Sequence, residues 1–264
     1  MTMTLEFPAL LRLIDERSTA FRAAVAAASS LDAQVPTCPE WTLFDLAQHI
    51  GEGRRDWAAT VAAGPAEAKS AAEGAPAAPR EREALLAWLA ESTDQLVEAL
   101  RKAGPDRGCW TWWDTSQSPP TCGTVARHQL QQMAVHTYDA QITVGAPQPL
   151  PAEVALDGVE EFLFTCVATT SAWPHRPAAI DFHASEGRSW RLSLSADGAR
   201  TTRLPGPDAI PAAAGQEADV AYASARGTAG ELVLMLYNRI PFDSLKLDGD
   251  RRLFDQLSAW DPAE

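Results

Sequence analysis

Two histidines in separate stretches of the sequence have the side-chain type and surroundings of metal ligands. His136 follows Gln132 by four residues in the segment ARHQLQQMAVHTYDAQITVG (126–145), so a helix would place both side chains on one face. His49 lies in an earlier amphipathic segment, where Gly53 leaves open space one turn further on. Two imidazoles and an amide oxygen that converge from separate helices would form a divalent-metal site in a helical bundle.

A purely structural role explains the same histidines equally well at this point. His49 and His136 could be core side chains whose ring nitrogens bind Asp45, Asp139 or backbone carbonyls, because buried imidazoles normally have hydrogen-bond partners. His128 lies one turn before Gln132 and could complete a metal site, although it lies partly off the same helix face. The spacing leaves both interpretations open.

The candidate residues lie in a region that predicts four long helices. Thr42 and Asp45 form a capping box ahead of the second helix, and Gly-Pro pairs end the second and third. A Trp-rich loop at 109–123 leads into the fourth. Apolar residues recur at helical spacing over 8–28, 42–63, 81–103 and 124–144. Four helices with three connections predict a helical bundle over residues 1–147.

After Pro151 the spacing of the apolar residues changes from one long helix after another to a mixture of helix and strand patterns. A helix is predicted over 152–169, followed by strands around Ile180 and over 190–194, and a hairpin turn at 196–198. Thr228 begins a second capping box and a short helix. A further strand at 245–247 and a closing helix at 251–260 complete the pattern. Residues 148–264 are therefore predicted to form a second, α+β domain.

Composition excludes several classes of protein. The chain has 264 residues, a formal net charge of −13 and 46% hydrophobic residues, which is typical of a folded protein and unlike a disordered one. The acidic balance argues against nucleic-acid or membrane partners, and no apolar segment is long enough to span a bilayer. The four cysteines show no metal-binding spacing. We expect a cytoplasmic protein with a small-molecule substrate; the sequence carries no signal for oligomeric state.

Three segments resemble the mycothiol-dependent maleylpyruvate isomerase family. The segment VPTCPEWTLFDLAQHIGEGRRDW (35–57) resembles the family pattern C-P-x-W-T-x-x-D-L-x-x-H. The segment RHQLQQMAVHTYDAQ (127–141) is similar to R-x-x-x-x-E-x-x-x-H-x-x-D-A-E, and 227–250 resembles the family's C-terminal segment. Each motif is loose alone, but the three occur in the expected order over nearly the whole chain. The resemblance implies a DinB-like four-helix bundle followed by a C-terminal domain related to sterol carrier proteins.

The resemblance also implies a set of site residues. The family holds a divalent metal, usually zinc, by two histidines and a glutamate, which correspond to His49, His136 and Gln132. Gln132 departs from the family, because a neutral amide does not supply the charge of a carboxylate. The family arginine thought to bind substrate or thiol corresponds to Arg239. Trp113, in the Trp-rich loop, is a candidate for lining the mouth of the cavity and contacting the thiol.

The function implied is that of a thiol-dependent metalloenzyme. Mycothiol would bind the metal as a thiolate and add to an electrophilic carbon, giving isomerisation or S-transfer, with His49 and Arg239 as catalytic residues. The alternative is a metal-free family member whose bundle cavity has been reused for ligand binding or a different reaction.

Overall fold

The computed structural model describes residues 5–72, 74–205 and 221–260. Contacts between Cα atoms divide these residues into two units. The N-terminal unit comprises 5–112 and 120–150, and the C-terminal unit comprises 113–119 and 151–260, apart from the undescribed positions. The predicted boundary at 147/148 stays a prediction. Segment 113–119 groups with the C-terminal unit because Gln117 exchanges hydrogen bonds with Thr201, and Ser118 with Thr165.

The N-terminal unit is built from four long helices. Thr42 caps α2 through the predicted capping box, in which Asp45 N–H donates to Thr42 Oγ1 at 3.2 Å and Thr42 N–H to Asp45 Oδ2 at 2.9 Å. Gly64 and Gly104 end α2 and α3 with positive φ angles of 81° and 77°. The helices are α1 (Phe7–Ala27), α2 (Leu43–Ala63), α3 (Arg82–Ala103) and α4 (Cys122–Thr143).

The C-terminal unit combines helices with one sheet. It begins with α5 (Ala152–Glu161), which continues as a π-helix (Phe162–Val167). The remaining elements are β1 (Ala178–Ala184), β2 (Ser189–Ser195), β3 (Gly198–Arg203), β4 (Ala221–Gly227), α6 (Ala229–Leu236), a 3-10 turn (Phe242–Ser244), β5 (Lys246–Gly249) and α7 (Arg252–Ala259).

The sheet has the order β3-β2-β1-β4-β5. Its pairs are antiparallel except β1 with β4, which are parallel, with Ile180 opposite Ala223 and Phe182 opposite Ala225. Ile180, Phe182 and Trp190 are fully buried, so one face of the central strands forms the core of this unit.

The predicted fold class, a four-helix bundle followed by an α+β domain, is confirmed. Two details of the prediction are wrong. The helix expected over 152–169 ends as an α-helix at Glu161 and widens into the π-helix, and the sequence analysis missed β4 altogether. No helix within the described ranges is long and apolar enough to cross a bilayer.

Candidate metal centre

Helix α4 carries an unusual number of polar side chains into the protein interior. His128, Gln129, Gln131, His136 and Asp139 are all buried, in addition to the expected apolar residues. An ordinary bundle helix has one apolar stripe and one wet face. Because α4 is buried nearly all round, its polar groups must find partners within the protein.

Asp139 fixes the ring of His136. The Asp139 carboxylate is completely buried, and its Oδ2 lies 2.9 Å from His136 Nδ1. Thr37 Oγ1 donates a hydrogen bond of 2.6 Å to the other oxygen, Oδ1, which ties the loop before α2 to α4. Since an ionised carboxylate only accepts hydrogen bonds, the proton of the neutral ring is on Nδ1. The Nε2 lone pair of His136 is therefore the one available to a ligand.

His49 comes from α2 and meets His136. Their ring centroids are 5.5 Å apart, with the rings edge to face at 75°. Trp41, in the turn that precedes α2, packs its ring 4.7 Å from that of His49 and 6.4 Å from that of His136. His136 is 6% exposed, whereas His49 is solvent-accessible. The two imidazoles thus meet at an accessible site and not in a closed core.

Gln132 lies level with the open side of α2. Two ring contacts give the relative direction of α2 and α4. His136 contacts His49. The ring of His128, two turns before His136 on α4, lies 6.3 Å from the ring of Trp57, two turns after His49 on α2. The two helices therefore run antiparallel, and Gln132, midway along α4, is opposite Gly53. A Cβ atom added at Gly53 would meet nothing within 4 Å. Gln132 itself is half-buried, and its place in the ligand set stays a prediction.

The environment of His49 keeps its ring neutral. Partial desolvation of its ring by the surrounding protein, aided by the nearby His136 and Lys69, lowers the pKa of His49 to about 4. A neutral imidazole has the free lone pair that a metal ion requires.

The two histidines fit a metal ion, and the third position fits less well. Two imidazoles bound to one tetrahedral ion, with metal–nitrogen bonds of ~2 Å, would have ring centres about 5 Å apart. The observed 5.5 Å agrees with this, and metal-binding histidines normally pass their second N–H to a carboxylate, as His136 does. Gln132 can offer an amide oxygen but no negative charge. The donor set therefore matches a divalent ion in type and falls short in charge.

His128 does not belong to this site. It is eight residues from His136, which places it ~12 Å away along the helix axis. Two of its neighbours are aromatic, with the ring of Trp112 at 5.7 Å and that of Trp57 at 6.3 Å. The suggestion that His128 completes the ligand set is therefore wrong for geometric reasons.

Two family models match the chain. Residues 11–141 match the family model described as the mycothiol maleylpyruvate isomerase N-terminal domain, and residues 153–256 match the MDMPI C-terminal domain. Together the two matches span most of the chain.

The chain belongs to the mycothiol-dependent maleylpyruvate isomerase family.

Solved structures show the same fold. The chain is similar to the crystal structure of the mycothiol-dependent maleylpyruvate isomerase, with 12% identity and a TM-score of 0.59, and to a histidine-to-alanine mutant of that enzyme, with 11% identity and the same TM-score. Each comparison covers 95% of this chain and 97% of the other. No curated protein matches the sequence. At this identity the structures support the fold and not a shared substrate.

The other two candidate residues of this family member lie in the C-terminal unit. Arg239 follows α6. Its backbone N–H donates to Leu234 O at 2.6 Å and its Nη1 donates to Tyr237 O at 2.7 Å. These two hydrogen bonds hold Arg239 at the C-terminal end of the helix. Trp113 is only 2% exposed, whereas its neighbour Trp112 is 47% exposed. The functional roles of Arg239 and Trp113 stay predictions, and Trp112 has the more accessible ring.

Two contributors to the site had no place in the sequence-based prediction. The ring of Trp41 contacts both candidate ligands. Thr37 carried no signal at all, because its link to Asp139 joins residues 102 positions apart. Asp139, in contrast, was named as a possible partner of a buried histidine, and its carboxylate does bind the ring of His136.

Proposed function

We propose that this protein is a thiol-dependent metalloenzyme that uses mycothiol for isomerisation or S-transfer on a small electrophilic substrate. The observation that carries the proposal is the approach of two imidazoles from different helices, one of them held by a buried carboxylate. A core histidine that needed only a hydrogen-bond partner would not require a second, neutral imidazole beside it. Family membership supports the choice of mycothiol as the thiol and of an isomerase-type reaction.

His49, His136 and Gln132 would hold the metal, for which zinc is the best match to nitrogen and oxygen ligands. When bound, the metal lowers the pKa of a coordinated thiol, so that the nucleophilic thiolate forms near neutral pH. Asp139 keeps the ring of His136 in the orientation and tautomer that leave Nε2 free. With only a neutral third ligand, the protein contributes less negative charge than two histidines and a glutamate would.

The remaining residues would bind and shield the reactants. The ring of Trp41 covers one side of the histidine pair and excludes water there. The open space at Gly53 leaves room for a thiol or substrate next to His49. Arg239 would bind a carboxylate of the substrate or thiol, because a guanidinium pairs with carboxylates through two parallel hydrogen bonds.

The metal content of the purified protein tests the first part of this proposal. After expression with ample zinc, we expect close to one equivalent of bound metal by mass spectrometry, and less than about a tenth of that in His49→Ala. His175→Ala, which removes an exposed histidine of the C-terminal unit, should keep its metal. A wild-type protein without bound zinc, nickel or iron would favour the alternative that Gln132 suggests, a metal-free protein whose cavity binds a ligand.

A second assay addresses the thiol. Maleylpyruvate, or a simple electrophile that forms S-conjugates, is incubated with the metal-loaded protein, with and without mycothiol. We expect turnover only when both thiol and metal are present, and a fall in turnover for Arg239→Lys, because lysine cannot make the paired contact. Turnover that proceeds equally well without thiol would contradict the proposed chemistry.

A further inference from the structure

A cavity separate from the histidine pair lies within the C-terminal unit. It has a volume of about 210 Å³, opens to solvent on one side and is bordered by the π-helix, α6, the 3-10 turn and the end of α7. π-helical turns are rare and occur often at functional sites.

The wall of the cavity is mostly apolar. Its side chains include Phe162, Val167, Met235 and Leu257. Met235 is only 2% exposed and marks the inner end. Such a surface favours aromatic and aliphatic groups over water.

The polar groups of the cavity are few and uncharged. Among the described residues that line it, the polar ones are Cys166, Asn238 and Ser258, and none is acidic or basic. Burial and the neighbouring Glu161 raise the pKa of the Cys166 thiol well above its usual range, so that this group also stays neutral. An ionic ligand would lose its hydration here without gaining a counter-charge.

Asn238 and Ser258 are both exposed, which indicates that the cavity opens to solvent beside them. Asn238 has a left-handed conformation, with φ 59°, and its N–H donates to Met235 O at 2.8 Å. This helix cap fixes the backbone of Asn238 at the mouth of the cavity. The site therefore has an apolar interior and an amide at its opening.

We propose that this cavity binds a neutral, mainly apolar small molecule with one hydrogen-bonding end. An apolar cavity of about 150 Å³ holds a benzene molecule, so 210 Å³ suits a flat ligand of roughly eight to ten non-hydrogen atoms. The apolar part would pack against Phe162 and Met235, and the polar end would contact Asn238 or Ser258. This site is additional to the proposed function, and its ligand differs from an anionic substrate in charge.

The experiment uses indole as the probe and the methionine methyl groups as reporters. The full-length protein, labelled with ¹³C at the methionine methyls, is titrated with indole and followed by NMR; Met235→Leu assigns the reporter signal. We expect the Met235 methyl to shift saturably, with a Kd of about 1 mM or lower. Met133, in α4, should not shift.

Two matched variants locate the binding. Ser258→Trp would block the mouth, whereas Ala259→Trp adds the same side chain at the next, exposed position of α7, which does not line the cavity. We expect indole binding to weaken at least tenfold in the first and to persist in the second. Val167→Phe, which fills the interior, provides a second test if Ser258→Trp perturbs the fold, as judged by the Met133 signal.

Three results would overturn the binding site itself: no response of the Met235 methyl, a linear response shared with Met133, or a response that survives both Ser258→Trp and Val167→Phe. A further result tests the preference for neutral ligands. Indole-3-carboxylate should bind at least tenfold more weakly than indole; equal binding would exclude the inferred preference for neutral ligands. Because the cavity residues are separate from His49 and His136, loss of metal binding would leave this result unchanged.

Discussion

Helix α2 presents two faces that differ sharply in packing. Toward α3, Gly51 lies against the ring of Trp88, where an added Cβ would be only 1.7 Å from a ring carbon. Toward α4, Gly53 meets nothing within 4 Å, although it is only two residues further on and also a helical glycine. The first glycine permits close packing of two helices, and the second leaves space at the candidate metal centre.

The contrast extends to the polar residues of α2. Arg55, on the packed side, is buried and satisfied: its Nε donates to Ser92 Oγ at 2.9 Å, and its guanidinium lies 5.1 Å from the ring centre of Trp88. His49, on the open side, is accessible and has a neighbouring imidazole in place of a counter-charge. A polar side chain that lies next to open space and has no oppositely charged partner among the described residues, such as His49, is the better indicator of a binding site.

Gly51→Ala should have the largest effect on stability. The methyl group cannot be accommodated unless the Trp88 ring or α3 moves, and that ring is held by its Nε1 hydrogen bond of 3.0 Å to Pro76 O. We expect a loss of about 3 kcal/mol in the free energy of unfolding, measured with urea. A change below about 0.5 kcal/mol would show that the α2–α3 contact is looser than described.

Asp139→Asn tests whether the carboxylate that orients the ring of His136 contributes to metal binding. Asparagine keeps the shape of the side chain but removes its charge, so metal affinity should fall by about 10- to 100-fold. Asp45→Asn, in the cap of α2, is the control and should alter stability but not metal affinity. Unchanged affinity in Asp139→Asn would mean that His136 needs no help from its carboxylate partner.

Much of this arrangement could be predicted from local sequence. The capping box at Thr42 and Asp45, the four helices and the i+3 relation of Asp139 to His136 depend on short spacings, which local rules describe well. The pairing of His49 with His136 was one of two open interpretations, because periodicity places a residue on a helix face but does not give the distance to another helix.

The missed features have physical reasons. Strand β4 has the sequence AYASARG, and alanine has little intrinsic preference for strands. Buried Ala223 and Ala225 lie inside the sheet, between β1 and β5, where tertiary packing overrides propensity. The π-helix after Glu161 differs from an α-helix by a small change in winding, to which apolar spacing over six residues is insensitive.

Gln132→Glu should strengthen the metal site by a smaller factor. A carboxylate opposite Gly53 would supply the charge that the amide lacks, and we expect about tenfold tighter zinc binding, measured by competition with a chelator. Gln141→Glu, further along α4, adds the same charge away from the site and should have little effect. Equal affinity in Gln132→Glu and wild type would mean that position 132 does not face the histidines.

Gly53→Ala should produce the smallest change, and one of opposite sign to Gly51→Ala. Alanine costs less backbone entropy than glycine in a helix, and its methyl group would enter open space, so we expect the free energy of unfolding to rise by about 0.5–1 kcal/mol. Zinc affinity should stay the same, because the methyl group adds no ligand.

A bulkier Gly53→Leu should fill the space beside His49 and raise the KM for the thiol while zinc remains bound. If the thiol KM is unaffected even by leucine, the open face of α2 is not where the thiol binds, and only the packed face would retain a defined role.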